Sequence, residues 1–183
     1  AAMGPQEDGG LAEAVAAADE MLEAGEVVDA AQTFAAVLGE EPENAAAYAG
    51  LIRAHLALDE LDQAEGLLDA VPEGIATSSE IEAARAKVEL AKQAQHAGPV
   101  AELTAAVESN AADHQARFDL ATALHANGDT QAAVDHLLEI FRQDREWNEG
   151  AAKAQLFTIF DALDAKDPIA LAGRRKLSSM IFA

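Results

Sequence analysis

Gly25-Glu26-Val27-Val28-Asp29-Ala30-Ala31-Gln32-Thr33-Phe34-Ala35-Ala36-Val37-Leu38-Gly39-Glu40-Glu41-Pro42 decides the fold of this 183-residue chain. It opens on a turn signal, runs for the length of one helix and stops at a proline, which cannot continue a helix interior. Within it a small residue, Ala30, is followed four positions later by a bulky one, Phe34. A step of 34 residues from that pair reaches Ala64 and Leu68, again small and then bulky. A recurring small residue lets two helices approach closely, and a recurring period means that the same helix pair is built repeatedly. The expectation is an all-α, right-handed solenoid, with Gly25, Ala30, Ala64, Gly128 and Ala133 at close helix contacts.

Extending the period outward gives five antiparallel helix pairs, in units near 11–44, 45–78, 80–113, 114–147 and 148–183. In the second unit Tyr48, Leu51 and His55 fill the first helix, while Pro72 arrives early and shortens the second. The third unit is degenerate. A helix over Ser79 to Gln95 carries Ile81, Ala84, Val88 and Ala91 at helical spacing, Gly98-Pro99 breaks it, and a second helix runs through Val107. In the fourth, Leu120, Ala121 and Leu124 precede a turn at Gly128-Asp129, with Ala133 and Leu137 beyond it. The last unit starts at Asn148 and pairs a helix bearing Leu156, Ile159, Phe160 and Leu163 with one that Asp167 caps and Pro168 begins. This pattern resembles the tetratricopeptide repeat (TPR). One elongated domain over 11–183 is expected, preceded at 1–10 by an expression remnant and flexible linker, and such a start suggests that something precedes it in the full-length protein.

Composition supports the helical reading. Half of the residues are hydrophobic, only 4% are aromatic, and the abundant alanine has the best helix propensity. The chain carries 12 basic and 33 acidic residues, for a formal net charge of −21. That balance argues against nucleic acid or an anionic membrane as partner. It suits either a solvated surface or a docking surface for a basic partner. There is no Lys or Arg before Arg53, whereas Arg174, Arg175 and Lys176 are consecutive; they serve either the helix dipole or a partner. No cysteine is present, so neither a disulfide framework nor thiol chemistry resides here. The absence of an apolar run of membrane-spanning length and of a signal pattern makes a cytoplasmic setting the default.

Nothing in the chain resembles a catalytic constellation, and no cofactor is expected. His96, His114, His125 and His136 lack the local spacing of a metal-ligand pair, and there is no calcium-loop or phosphate-loop pattern. In a TPR array the first helix of each pair lines a groove. The second, fifth, ninth and twelfth positions of the units give Val15, Leu22, Ala49, Arg53, Leu56, Val88, Phe118, His125, Leu156 and Ile159 as candidate groove residues. That set is mostly apolar, with Arg53 its one Lys or Arg, so extended or amphipathic apolar segments are the expected ligands. The competing reading packs some of these residues under the carboxy-terminal helices.

The carboxy-terminal region narrows the resemblance. Trp147-Asn148-Glu149-Gly150, Leu156-Phe157-Thr158-Ile159-Phe160-Asp161-Ala162-Leu163, Asp167-Pro168 and Arg174-Arg175-Lys176-Leu177-Ser178-Ser179-Met180-Ile181-Phe182 resemble the end of the YbbN-like, or chaperedoxin, family of bacterial proteins. Arg117-Phe118-Asp119-Leu120-Ala121 and Ala132-Ala133-Val134-Asp135-His136-Leu137-Leu138 fit the same family. Its members join a thioredoxin-like domain, which this sequence lacks, to a TPR-type domain. The resemblance implies a non-catalytic co-chaperone module that holds unfolding clients and cooperates with a GroEL-type chaperonin. It further implies a docking role for the last helix, through Arg174, Arg175, Lys176, Met180, Ile181 and Phe182. That helix alternatively only caps the solenoid. The rival to the co-chaperone reading is an assembly adaptor that recognises one folded partner.

Overall fold

The computed structural model describes residues 8–183, and among them the chain forms ten α-helices and no strand. In order these are α1 (Asp8–Glu23), α2 (Val27–Glu40), α3 (Ala45–Ala57), α4 (Leu61–Asp69), α5 (Ser79–Gln95), α6 (Val100–Ser109), α7 (His114–Ala126), α8 (Thr130–Gln143), α9 (Trp147–Ala162) and α10 (Pro168–Ile181). Residues 1–7 of the expected linker lie outside the described residues, whereas Asp8, Gly9 and Gly10 already belong to α1. The chain divides into two compact units, one ending at Val88 and the other spanning Glu89–Ala183.

Local chemistry explains where the helices begin and end. Asn44, Asp113, Asp129 and Asp167 each accept a backbone N–H of the first helical turn, from Ala47, Ala116, Ala132 and Ile169 respectively. These contacts satisfy donors that a helix start leaves unpaired. Pro168 sits in the first turn of α10, where its missing N–H costs nothing. α4 stops at Asp69, ahead of Pro72.

Three turns share one geometry. Gly25, Asp59 and Gly128 have φ of 83°, 58° and 87°. After them, Glu26, Glu60 and Asp129 donate to the carbonyls of Met21, His55 and Leu124 at 2.8, 2.9 and 2.9 Å. This is the left-handed helix stop in which a backbone N–H reaches a carbonyl five residues back. It corrects the expected role of Gly25 and Gly128: the space beside each is open, and what the turn needs there is a left-handed backbone. Asp59 bears a side chain in that conformation, at a cost of up to about 1–2 kcal/mol. Asp59→Gly is therefore expected to raise stability by about 0.5–1 kcal/mol, after the greater freedom of glycine in the unfolded chain is counted. Thermal melting followed at Tyr48, which is buried in the same unit, checks this; a lower melting temperature would contradict it.

In the first unit Val15, Ala18, Ala30, Phe34, Val37 and Ala47 form one core between α1, α2 and α3. Tyr48, Ala49, Ile52, Ala64, Ile81, Ala84 and Val88 form another, reaching α4 and α5. Burial pushes the Tyr48 phenol up from its ordinary pKa. Ala30 and Ala64 are fully buried, but the tightest approach belongs to Gly50, where an added Cβ would overlap the Phe34 ring.

In the second unit α6 packs on α7, α7 on α8, α8 on α9, and α10 on both α8 and α9. Its core joins Ala121, Ala133, Leu137, Ile140, Phe141, Leu156, Ile159, Phe160 and Leu177. The start of α9 departs from a regular helix. Asn148, Glu149 and Gly150 have φ of 47°, 58° and 81°, a short left-handed turn ahead of the right-handed helix.

Candidate protein-binding site

The carboxy-terminal half of α5 places Glu89, Lys92 and Gln93 on one helix face, at the three- and four-residue spacing that makes side chains neighbours, and His96 follows in the turn just past its end. Phe118, Asp119 and Thr122 of α7 line the opposite wall, and Ala97, Gly98 and Leu103 complete the enclosure. The resulting pocket has a volume of about 640 Å³. All of its lining residues belong to the second unit.

Its walls are held from behind. Gln155 of α9 is only 6% exposed, and it exchanges two amide hydrogen bonds with Gln93, at 2.6 and 3.1 Å. The pair satisfies a buried polar group and ties α5 to α9. Phe118 packs against the Trp147 ring at 5.6 Å, and Trp147 in turn meets the edge of His114 at 6.0 Å. Gln93 also donates to Glu89 at 3.1 Å, and Gln115 donates to Asp119 at 2.8 Å.

The nearby histidines are structural in their surroundings. Arg117 reaches the Ala111 carbonyl at 3.0 Å and the His136 Nδ1 at 3.3 Å. Burial, and then the Arg117 cation, push the His136 pKa down against a smaller opposing pull from Asp135. Burial lowers that of His125 as well, and the Thr130 hydroxyl lies 3.3 Å from its Nδ1. Among the described residues no three His, Asp or Glu side chains gather closely enough to hold a metal ion. No helix among them is long and apolar enough to cross a membrane.

Two family models, each described as a tetratricopeptide repeat, match residues 21–88 and 93–182. The chain is an all-α, TPR-like helical repeat protein. No curated protein matches it. A solved domain of protein VP0806 from Vibrio parahaemolyticus RIMD 2210633, of unknown function, is similar at 21% identity. That match covers 91% of this chain and 97% of the other, with a TM-score of 0.42. TPR repeats are in general modules for protein–protein interaction rather than catalysis.

Within this TPR-like chain, Phe118 alone of the ten expected groove residues lines the pocket. Val15, Ala49 and Val88 are buried in the cores of the first unit, and Leu22 and Leu56 pack half-buried against those cores. Arg53 is paired with Asp19 at 2.6 Å. His125 is half-buried beside Thr130. Leu156 and Ile159, at 0% and 1% exposure, are core residues and offer no groove surface. Val15, Ala49 and Val88, reached by the same count in units without the left-handed turn of Asn148–Gly150, are buried too, so these first-helix positions face the core. Most of the pocket's lining escaped position counting, which selects one face of each first helix. The signal that was available is the apolar-to-polar change along α5, just before Gly98-Pro99.

The last helix buries Ala170, Gly173 and Leu177, and Met180 and Ile181 lie half-buried on the same core. Arg174 pairs with Asp161 at 2.7 Å and lies 5.3 Å from the Phe160 ring centre. Lys176 reaches Asp135 at 3.4 Å. Arg175 is exposed, and Phe182 is 86% exposed.

Proposed function

We propose that this TPR-like module works by binding, without catalysis or cofactor, and takes an extended apolar segment of another protein into the pocket between α5 and α7. The observation that carries this reading is an open pocket whose lining includes Phe118 and Leu103, in a repeat class whose general role is protein interaction. Concave sites that combine apolar side chains with placed polar groups are the usual form of a binding site, and here Leu103 and Phe118 lie among polar and charged lining residues. The residues quoted from Trp147 to Phe182 support a more specific role as a cytoplasmic co-chaperone module that holds unfolding proteins and cooperates with a GroEL-type chaperonin. In that role the exposed Arg175 and Phe182 of the last helix and its end are the docking groups. The net charge of −21 disfavours nucleic acid and anionic membranes as partners. A second reading, an adaptor for one folded partner, gains support from the bounded volume of the pocket, which suits one recognition motif better than many clients.

Ala97→Phe tests the proposal, because Ala97 lies outside α5 and α6 and a ring there fills the pocket from its rim. The expected result is loss of protection of a heat-denatured client in light scattering, with an unchanged helical spectrum. Full protection by the folded variant would rule out the pocket. Arg175→Glu combined with Phe182→Ser is expected to abolish co-elution with the chaperonin at an unchanged melting temperature; retained co-elution would leave the last helix as a cap only.

A further inference from the structure

We propose that the pocket selects a segment in which a bulky apolar side chain is flanked by Lys or Arg. The inference rests on the pocket being the binding site, and it adds which sequences enter. Leu103 and Phe118 are the large apolar side chains of the lining, which also carries the carboxylates of Glu89 and Asp119. Gln93 and Gln115, which donate to those carboxylates at 3.1 and 2.8 Å, are neutral amides. They leave the carboxylate charge in place, and each carboxylate has further lone pairs for an incoming donor. Lys92 and His96 also line the pocket, so two carboxylates stand beside one ammonium and one imidazole. The local excess has the same sign as the net charge of −21.

A basic flank forms charge-assisted hydrogen bonds with those carboxylates while its apolar neighbour leaves water against Leu103 and Phe118. An acidic flank meets repulsion, so the same carboxylates discriminate against it. The volume, about 640 Å³, exceeds what one side chain occupies and suits a short extended stretch.

The test uses the full chain and three fluorescein-labelled ten-residue peptides with a central Leu-Phe-Leu, flanked by Lys, by Ser or by Glu, titrated by anisotropy. The Lys-flanked peptide is expected to bind about tenfold tighter than the Ser-flanked one, as two charge-assisted contacts imply, and the Glu-flanked one weakest. Glu89→Gln with Asp119→Asn is expected to remove the tenfold preference, so that within that variant the Lys- and Ser-flanked peptides bind alike. A chain this acidic attracts basic peptides everywhere, so this double variant localises the effect. If the preference survives it, or if Lys- and Ser-flanked peptides bind alike, the proposed selectivity is wrong while the pocket stands, provided Ala97→Phe still blocks binding. If Ala97→Phe leaves the peptides bound, or none binds the parent chain, the pocket reading falls with it. Peptide binding that appears only on dilution, with self-association lost in Ala97→Phe by sedimentation velocity, would instead make a second copy the occupant and overturn the proposal.

Discussion

Leu156→Ala is expected to destabilise the second unit by about 2–5 kcal/mol, the range for removing a buried leucine side chain and leaving a cavity behind. Leu156 has no exposed surface and joins the core with Leu137, Ile159 and Phe160. In a unit of this size each kcal/mol moves the melting temperature by about 4–8 °C. The chain has one tryptophan, and Trp147 packs on Phe118 in the same unit, so its fluorescence reports the relevant transition. The result matters for function as well as stability. A groove residue truncated to alanine would weaken binding and spare the melt, so an unchanged melting temperature would return Leu156 to the groove.

Gly173→Leu is expected to cost about 3 kcal/mol, at the upper end of the usual range for overpacking. An added Cβ at this position would lie 2.5 Å from Cε1 and Cζ of Phe160 and 3.4 Å from Cγ1 of Val134. Phe160 is itself 2% exposed and packed on its far side, so α10 has to lift. Limited proteolysis should then cut within α10, and the Trp147 melt should move down. An unaltered melt and an intact α10 would contradict the close approach. The same packing determines how chaperonin docking is tested. Truncation before Arg174 removes Leu177, 2% exposed, together with the half-buried Met180 and Ile181, and so confounds docking with stability. Substitution at Arg175 and Phe182 avoids that.

How far these features can be read in advance depends on the distance over which their physics acts. The cap at Asp167, the span of α5 and the early stop of α4 before Pro72 are set by neighbouring residues, and they stand in the sequence as they stand in the fold. The helix-stop geometry at Gly25 and Gly128 is local too, although a glycine alone does not say whether it serves a turn or a close contact. Asn148 and Glu149 are another case. Neither favours a left-handed backbone strongly enough to announce one. The pocket is less legible still, since Gln93 and Gln155 are 62 residues apart and nothing in their own neighbourhoods signals the pairing. Phe118 was within reach because it sits on the groove face of a regular repeat; Glu89 and Asp119 were not, because exposed carboxylates abound in this chain.

The proposed role of the pocket between α5 and α7 is to receive a protein segment. Amide chemical-shift mapping of the ¹⁵N-labelled chain during titration with the Lys-flanked Leu-Phe-Leu peptide tests it most directly. Saturable shifts concentrated at Glu89, Gln93, Ala97, Leu103, Phe118 and Thr122, and absent in Ala97→Phe, are the predicted result. Shifts confined to α1–α3 or to α10, or the same shifts in the blocked variant, would contradict it.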